Sequence, residues 1–204
     1  MSLTDDLSSL EPLIKASHLY AGIGSRATPP AILLLMAKIA SVLADDGLIL
    51  RSGASPGADS AFERGCDWNR GAKEIFLPWK GFNKHPSSLF TPSEEAVALA
   101  ARLHPNWKLC GFGARKLHAR NCQQICGEAL DAPVRFVLFW APEHHGCVEG
   151  GTATAVSLAR ERKIPTFNLR DDASRALWQE FLARHEEKRL RFWQKTLRSL
   201  HRQG

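Results

Sequence analysis

Three glycine-rich turns in this chain each stand between an apolar run and residues spaced for a helix, and that pattern restricts the fold more than any other feature. His18 to Ile23 (HLYAGI) runs into Gly24-Ser25-Arg26, after which Thr28-Pro29 reads as a helix N-cap with proline at the first helical position. From Pro30 to about Asp46, Ile32, Leu35, Met36, Ile39, Val42 and Leu43 recur at three- and four-residue spacing, and Gly47 ends the helix. Leu48 to Arg51 (LILR) is a second strand. It leads through Ser52-Gly53-Ala54 and Gly57-Ala58 to Asp59, read as the N-cap of a helix reaching about Arg70. The third turn, Gly150-Gly151-Thr152-Ala153-Thr154, opens a helix to Lys163.

The segments between fit the same grammar. Lys73 to Leu77 (KEIFL) is a third strand, followed by an irregular loop from Pro78 to Phe90. Thr91-Pro92-Ser93-Glu94 has the form of a capping box and opens a helix to about His104. A loop from Pro105 to Ala114 precedes a helix from about Arg115 to Glu128. Pro133 to Trp140 (PVRFVLFW) is apolar enough for a strand covered on both faces, which makes it the expected central strand. After a loop from Ala141 to Glu149 and the third turn's helix come a last strand, Ile164 to Leu169, and a long helix from Ala173 to about His201. Strand alternating with helix predicts an α/β fold, a Rossmann-like doubly wound parallel sheet with right-handed crossovers and a long C-terminal helix.

Length and composition set the class. The 204 residues suit one nucleotide-binding domain, residues 1–171, with a basic helical appendage, residues 172–204. Hydrophobic content of 44% against 24% charged residues is that of a chain that folds alone. Met1 to Glu11 lacks the basic start and apolar run of a secretory signal, and no stretch approaches a membrane span, so a cytoplasmic protein with no membrane partner is expected. Five cysteines (Cys66, Cys110, Cys122, Cys126 and Cys147) without a C-x-x-C pair fit reduced thiols better than a disulfide framework or a zinc ribbon. Of the net charge of +6, the segment Arg184 to Arg202 supplies seven Lys or Arg less two Glu, or +5. The same tail carries Trp178, Phe181, Leu182, Trp193, Leu197 and Leu200 at roughly helical spacing, which suits docking on its own domain or a homo-oligomer contact.

In open α/β sheets, ligands sit beyond the carboxyl ends of the strands, where backbone N–H groups and helix N-termini attract anions. Gly24, Ser25, Arg26, Ser52, Gly53, Ala54, Asp59, Gly150, Gly151, Thr152 and Thr154 are therefore the candidates for phosphate binding. Ala27 stands where the dinucleotide fingerprint requires a third glycine, and there is no Walker A pattern, which disfavours a conventional NAD dehydrogenase or an ATPase. His144-His145-x-Cys147 contains zinc-ligand types, but adjacent histidines without a fourth ligand nearby read as loop, so no metal and no cofactor is expected. Trp79, Phe82 and Trp107 could stack on a base or anchor their loops.

Four segments together resemble the SLOG superfamily of Rossmann-like proteins, which includes the LOG phosphoribohydrolases and the DNA-processing protein DprA. Gly24-Ser25-Arg26 resembles the group's first-turn G-S-R. Ser52-Gly53-Ala54 with Gly57-Ala58-Asp59 is similar to the S-G-G-A-x-G-x-D segment of DprA-like members. Leu117-His118-Ala119-Arg120-Asn121 resembles the M-H-x-R-K segment of LOG proteins, and Gly150 to Thr154 resembles the G-G-x-G-T motif that holds the nucleotide phosphate. The resemblance spans Leu19 to Leu169 and implies that Arg120 and Asn121 reach ligand phosphate or ribose. It also implies LOG chemistry only in part, because Ser157 occupies the position of the catalytic glutamate. Arg120 with Glu149 or Asp59 would then have to carry any hydrolysis.

Three functions follow as expectations. The first is binding of a nucleotide or nucleotide-derived ligand, of ADP-ribose or nucleoside monophosphate type, as a sensor or sequestering protein. The second is LOG-like N-glycosidase activity, with Arg120 and Glu149 as catalytic residues. The third is DprA-like binding of single-stranded DNA through the glycine turns and the basic C-terminal helix, which would weaken steeply with salt.

Overall fold

The computed structural model describes residues 18–200 together with Leu10, Pro12 and Ile14, with side chains as far as Gln194. The signal-free reading of Met1 to Glu11 falls, apart from Leu10, outside the described residues, as do the side chains of Leu197 and Leu200.

Five parallel strands form one sheet in the order β3-β2-β1-β4-β7: β1 (Leu19–Gly24), β2 (Ile49–Ser52), β3 (Lys73–Ile75), β4 (Val137–Trp140) and β7 (Thr166–Asn168). The helices are α1 (Pro30–Asp45), α2 (Ala58–Trp68), α3 (Glu94–Leu103), α4 (Phe112–Cys126), α5 (Ala153–Glu161) and α6 (Asp172–Leu200). Alternate residues along the strands feed two cores. Tyr20, Leu50, Phe136, Leu138 and Phe167 face α1, α2 and the start of α6. Ala21, Ile23, Val137 and Phe139 face α3, α4 and α5. The doubly wound reading therefore holds, and no helix among the described residues is long and apolar enough to cross a membrane.

Local differences have local causes. The central strand is β1, flanked by β2 and β4, while the run from Pro133 pairs as a strand only from Val137. A near-continuous apolar run marks a strand covered on both faces, which β4 is, without saying which covered strand lies in the middle. The stretch 141–149 is not plain loop: β5 (Glu143–His144) and β6 (Cys147–Val148) pair antiparallel, with His145 at φ 49° and Gly146 at φ 77° turning between them. Ser93, not Thr91, caps α3, accepting from the Ala96 N–H at 3.3 Å, while Thr91 sits at φ 64°. Pro29 rather than Thr28 holds the N-cap position of α1, and Gly57 rather than Asp59 holds that of α2.

The C-terminal helix begins as part of the core. Trp178 is fully buried, with ring centroids 5.6 Å from both Phe136 and Phe167 and 5.2 Å from Phe181. Beyond His185 the described side chains of α6 are exposed, including Phe192 and Trp193.

Candidate functional site

The carboxyl ends of β1, β2 and β4 lie side by side at one edge of the sheet; the first two glycine turns follow β1 and β2 directly, and the third follows the β5–β6 ribbon. The first two pack directly on each other. The Ser25 N–H donates to the Trp140 carbonyl at 2.9 Å, and the Ser25 carbonyl accepts from the Thr28 hydroxyl at 2.7 Å and the Ala58 N–H at 3.4 Å. The Ser25 Oγ accepts from the Ala27 N–H at 3.1 Å, and the buried Ser52 hydroxyl donates to the Gly22 carbonyl at 2.6 Å. A Cβ on Gly24 would lie 2.8 Å from both the Ala58 Cβ and the Trp140 carbonyl oxygen. These turns are tied into the fold by their own polar groups, while Arg26 beside them is exposed.

Beneath the second turn lies a buried ion pair. Arg120, in the middle of α4, brings its Nη1 to 3.4 Å from Asp59 Oδ2, with each side chain only 4% exposed. Its Nη2 donates to the Ser55 Oγ at 3.2 Å, and the Ser55 N–H donates to Asp59 at 3.3 Å. Burial pushes the Asp59 carboxyl up and the Arg120 guanidinium down, and in each case the partner's charge pulls the group back toward its ionised form. Gly53 is the reason the guanidinium fits: a Cβ there would fall 1.1 Å from Nη1. Ala54, next in the turn, is buried at φ 55°, and its carbonyl accepts from Asn83 Nδ2 at 2.8 Å. Phe82 closes over the guanidinium at 6.0 Å and meets Trp79 edge-on at 5.1 Å, so both aromatics anchor the 78–90 segment.

The third turn is joined to the same helix but opens outward. Asn121 Nδ2 donates to the Gly151 carbonyl at 2.6 Å, linking α4 to the start of α5. Thr152 occupies the N-cap position of α5 without its side chain capping the helix. Beside this start lies a pocket of about 760 Å³, walled by His104 and His118 on one side and by Gly150, Gly151, Thr154 and Ser157 on the other. Gly151 has no atom within 4 Å of the place a Cβ would take and no unusual φ, so packing does not explain its missing side chain. Arg160 closes one end, holding the Gly146 carbonyl at 2.8 Å and Glu143 at 2.9 Å.

Of the residues expected at the site, Gly150, Gly151 and Thr154 line this pocket; Gly24, Ser25, Arg26, Ser52, Gly53, Ala54, Asp59, Arg120, Asn121 and Thr152 do not. Glu149 does not: its N–H donates to the Pro142 carbonyl at 2.9 Å, and its carboxylate points to His144 at 3.7 Å with 59% of the side chain exposed. Among the described residues, the pocket lining contains no Asp or Glu. Trp79, Phe82 and Trp107 do not line it either; Trp107 packs on Arg115 at 5.5 Å.

Sequence reasoning missed one feature. His104 at the end of α3, Cys110 before α4 and His118 within it bring their ligating atoms to within 4.8 Å of one another, a set of potential metal ligands among the described residues. Cys110 Sγ lies 3.7 Å from His104 Nδ1, and His118 Nδ1 lies 2.8 Å from the Thr154 hydroxyl. Burial, then the charges of His104 and Arg120, push His118 down to about 4. The spacing H-x5-C-x7-H was the available signal, and it departs from the short ligand spacings of zinc motifs.

No protein-family model, no curated protein and no solved structure matches this chain.

Proposed function

We propose that this protein binds the phosphate of a nucleotide-type ligand at the start of α5, as a sensor or sequestering protein. The observation that carries the reading is Gly151, a glycine that neither conformation nor packing requires, exposed at a helix N-terminus beside a pocket. A bare backbone lets an anion approach N–H groups that the helix dipole makes attractive. The hydroxyl of Thr154 and the His104 and His118 rings supply polar contacts, and a pocket of about 760 Å³ has room for more than a phosphate. The resemblance of the Gly150 to Thr154 segment to the SLOG phosphate motif points the same way.

Binding is favoured over N-glycosidase chemistry because no described residue lining the pocket carries a carboxylate. Ser157 lines the pocket where the LOG glutamate is expected, Glu149 points elsewhere, and Arg120 is neutralised by Asp59 under the second turn. Activating water or stabilising an oxocarbenium-like centre would lack its usual agent. The DprA-like reading keeps one observation of its own, the exposed Phe192 and Trp193 among Lys188, Arg189 and Arg191 on α6, a pairing of rings and cations that suits single-stranded DNA.

The test is Gly151→Glu. A carboxylate just before the N-cap of α5 complements the helix dipole, so the melting temperature of the free protein is expected to hold or rise slightly. The same charge repels phosphate. A thermal shift by ADP-ribose or a nucleoside monophosphate in the wild type, abolished in the variant, supports the reading; an undiminished shift refutes it. Free base released from the nucleotide would establish the glycosidase instead. Salt-sensitive binding of an oligonucleotide, lost on cutting the chain after Glu186, would establish the DNA reading.

A further inference from the structure

We infer that His104, Cys110 and His118 form a three-ligand site for a zinc-type divalent cation, with its fourth coordination position open to the pocket beside α5. Imidazole and thiolate are the ligand set of zinc, and three protein ligands with one open position describe its catalytic and ligand-exchanging sites rather than its closed structural ones.

Distances support this. With Zn–S of about 2.3 Å, Zn–N of about 2.1 Å and tetrahedral angles, a sulfur and a nitrogen on one ion lie about 3.6 Å apart. Cys110 Sγ and His104 Nδ1 lie 3.7 Å apart. The widest separation in the trio is within 4.8 Å, so closing it on one ion takes a shift of about 1 Å in partly exposed side chains.

The hydrogen bonds of the two histidines bear on which nitrogen coordinates. His118 Nδ1 and the Thr154 hydroxyl lie 2.8 Å apart; with the proton on Nδ1 the hydroxyl accepts it and Nε2 is left to coordinate, the usual way a ligating histidine is fixed through its other nitrogen. The Asn106 N–H donates to His104 Nδ1 at 3.2 Å, so that nitrogen carries a lone pair, and Cys110 Sγ lies 3.7 Å from Nδ1 and 3.9 Å from Nε2; an ion bound at Nδ1 takes the place of the Asn106 N–H. His104 and His118 both line the pocket, which puts an ion held between them at its wall. An ion of charge +2 with one thiolate keeps a net charge of +1, which favours the anionic ligand proposed above, although the metal site stands without that reading.

The experiment uses the full chain stripped with a chelator and titrated with Co²⁺ and then Zn²⁺, in the absence of any nucleotide. One equivalent of Co²⁺ is expected to give intense tetrahedral d–d bands and a thiolate-to-cobalt charge-transfer band, both displaced by one equivalent of Zn²⁺. Cys110→Ser should remove the charge-transfer band and weaken Zn²⁺ binding at least a hundredfold. Cys147→Ser, which alters the exposed thiol that lines the same pocket but lies outside the ligand trio, should leave both intact. Thr154→Val should weaken Zn²⁺ binding about 10- to 100-fold through the loss of the partner that orients His118. Absence of stoichiometric binding, or a charge-transfer band that follows Cys147 instead of Cys110, overturns the site. Nucleotide binding that survives with the metal removed would leave the phosphate reading intact whatever happens to the metal.

Discussion

Removing one member of the Arg120–Asp59 pair tests whether it holds the second turn in place. At 3.4 Å the two charges attract with a gross energy of about 5 kcal/mol at an effective dielectric near 20, much of it offset by the desolvation of both groups. Arg120→Met keeps the apolar stem but strands a buried carboxylate, and Asp59→Asn strands a buried guanidinium. Each is expected to cost about 3–5 kcal/mol. For a chain of this size that lowers the melting temperature by about 6–20 °C. The double variant leaves neither charge alone, so its loss should fall short of the sum by about 2–3 kcal/mol, read from urea unfolding of all four proteins. There is also a pH signature. Burial already raises the Asp59 carboxyl, and losing Arg120 raises it further, so in Arg120→Met the folded state takes up a proton before the unfolded state does. The deficit of Arg120→Met should therefore shrink as pH falls from 8 to 5. Additivity within about 0.5 kcal/mol, together with a deficit that ignores pH, would refute the argument that the pair is coupled.

Gly53→Ala should cost about 3 kcal/mol or more, because the new Cβ displaces Nη1 and breaks the same pair, and the cost should fall sharply in the Arg120→Met background; denaturation of both variants checks this. Trp178→Ala should lose about 3–5 kcal/mol if the start of α6 belongs to the core, measurable by the same unfolding curves. Asn168 clamps the backbone of Ala141, accepting from its N–H at 3.3 Å and donating to its carbonyl at 3.0 Å. Asn168→Ala should cost about 1–3 kcal/mol and speed amide exchange in the 141–149 ribbon. For Glu63, burial is outweighed by hydrogen bonds from Lys73 and His85, which hold the carboxyl below its usual range. Its contribution is therefore present above the unfolded value of about 4.3 and lost as pH falls through the folded one, so the stability gap between wild type and Glu63→Gln should close below about pH 4.

Most of the fold was legible because it depends on periodicity. Runs such as LYAGIG and VLFW and the three- and four-residue spacing of α1 place strands and helices without knowledge of their partners. Caps were less legible, since several Ser, Thr and Asp residues competed for each helix start. Thr91 fails because it adopts φ 64°, while Ser93 lies extended at φ −66°, ψ 165°. Asp59 fails because Gly57, at φ 90°, takes the cap position and leaves the carboxylate pointing inward to Arg120. Nothing local distinguishes such an arginine from a solvated one on an amphipathic helix; the difference is made by Ser55 and Asp59, more than sixty residues away along the chain. The metal-ligand trio escaped for the same reason, because its members come from the end of one helix, a loop and the middle of another.

The three glycine turns looked equivalent in sequence, and the structure separates them by what stands where a side chain would be. At Gly53 that space holds a guanidinium, and at Gly24 it holds the next helix and the next strand, so these glycines are accounted for by packing. At Gly151 the space is open and the backbone is ordinary, and a side chain would meet only solvent beside the pocket. Stability alone therefore favours a residue other than glycine at 151, since glycine near a helix start gives up backbone entropy and contributes no contact. Under the proposed function, a phosphate approaching the backbone there is what would require position 151 to stay bare. Under that proposal the first two turns are the frame and the third is the contact, and Gly151→Ala should raise the stability of the free protein slightly while weakening any binding of phosphate.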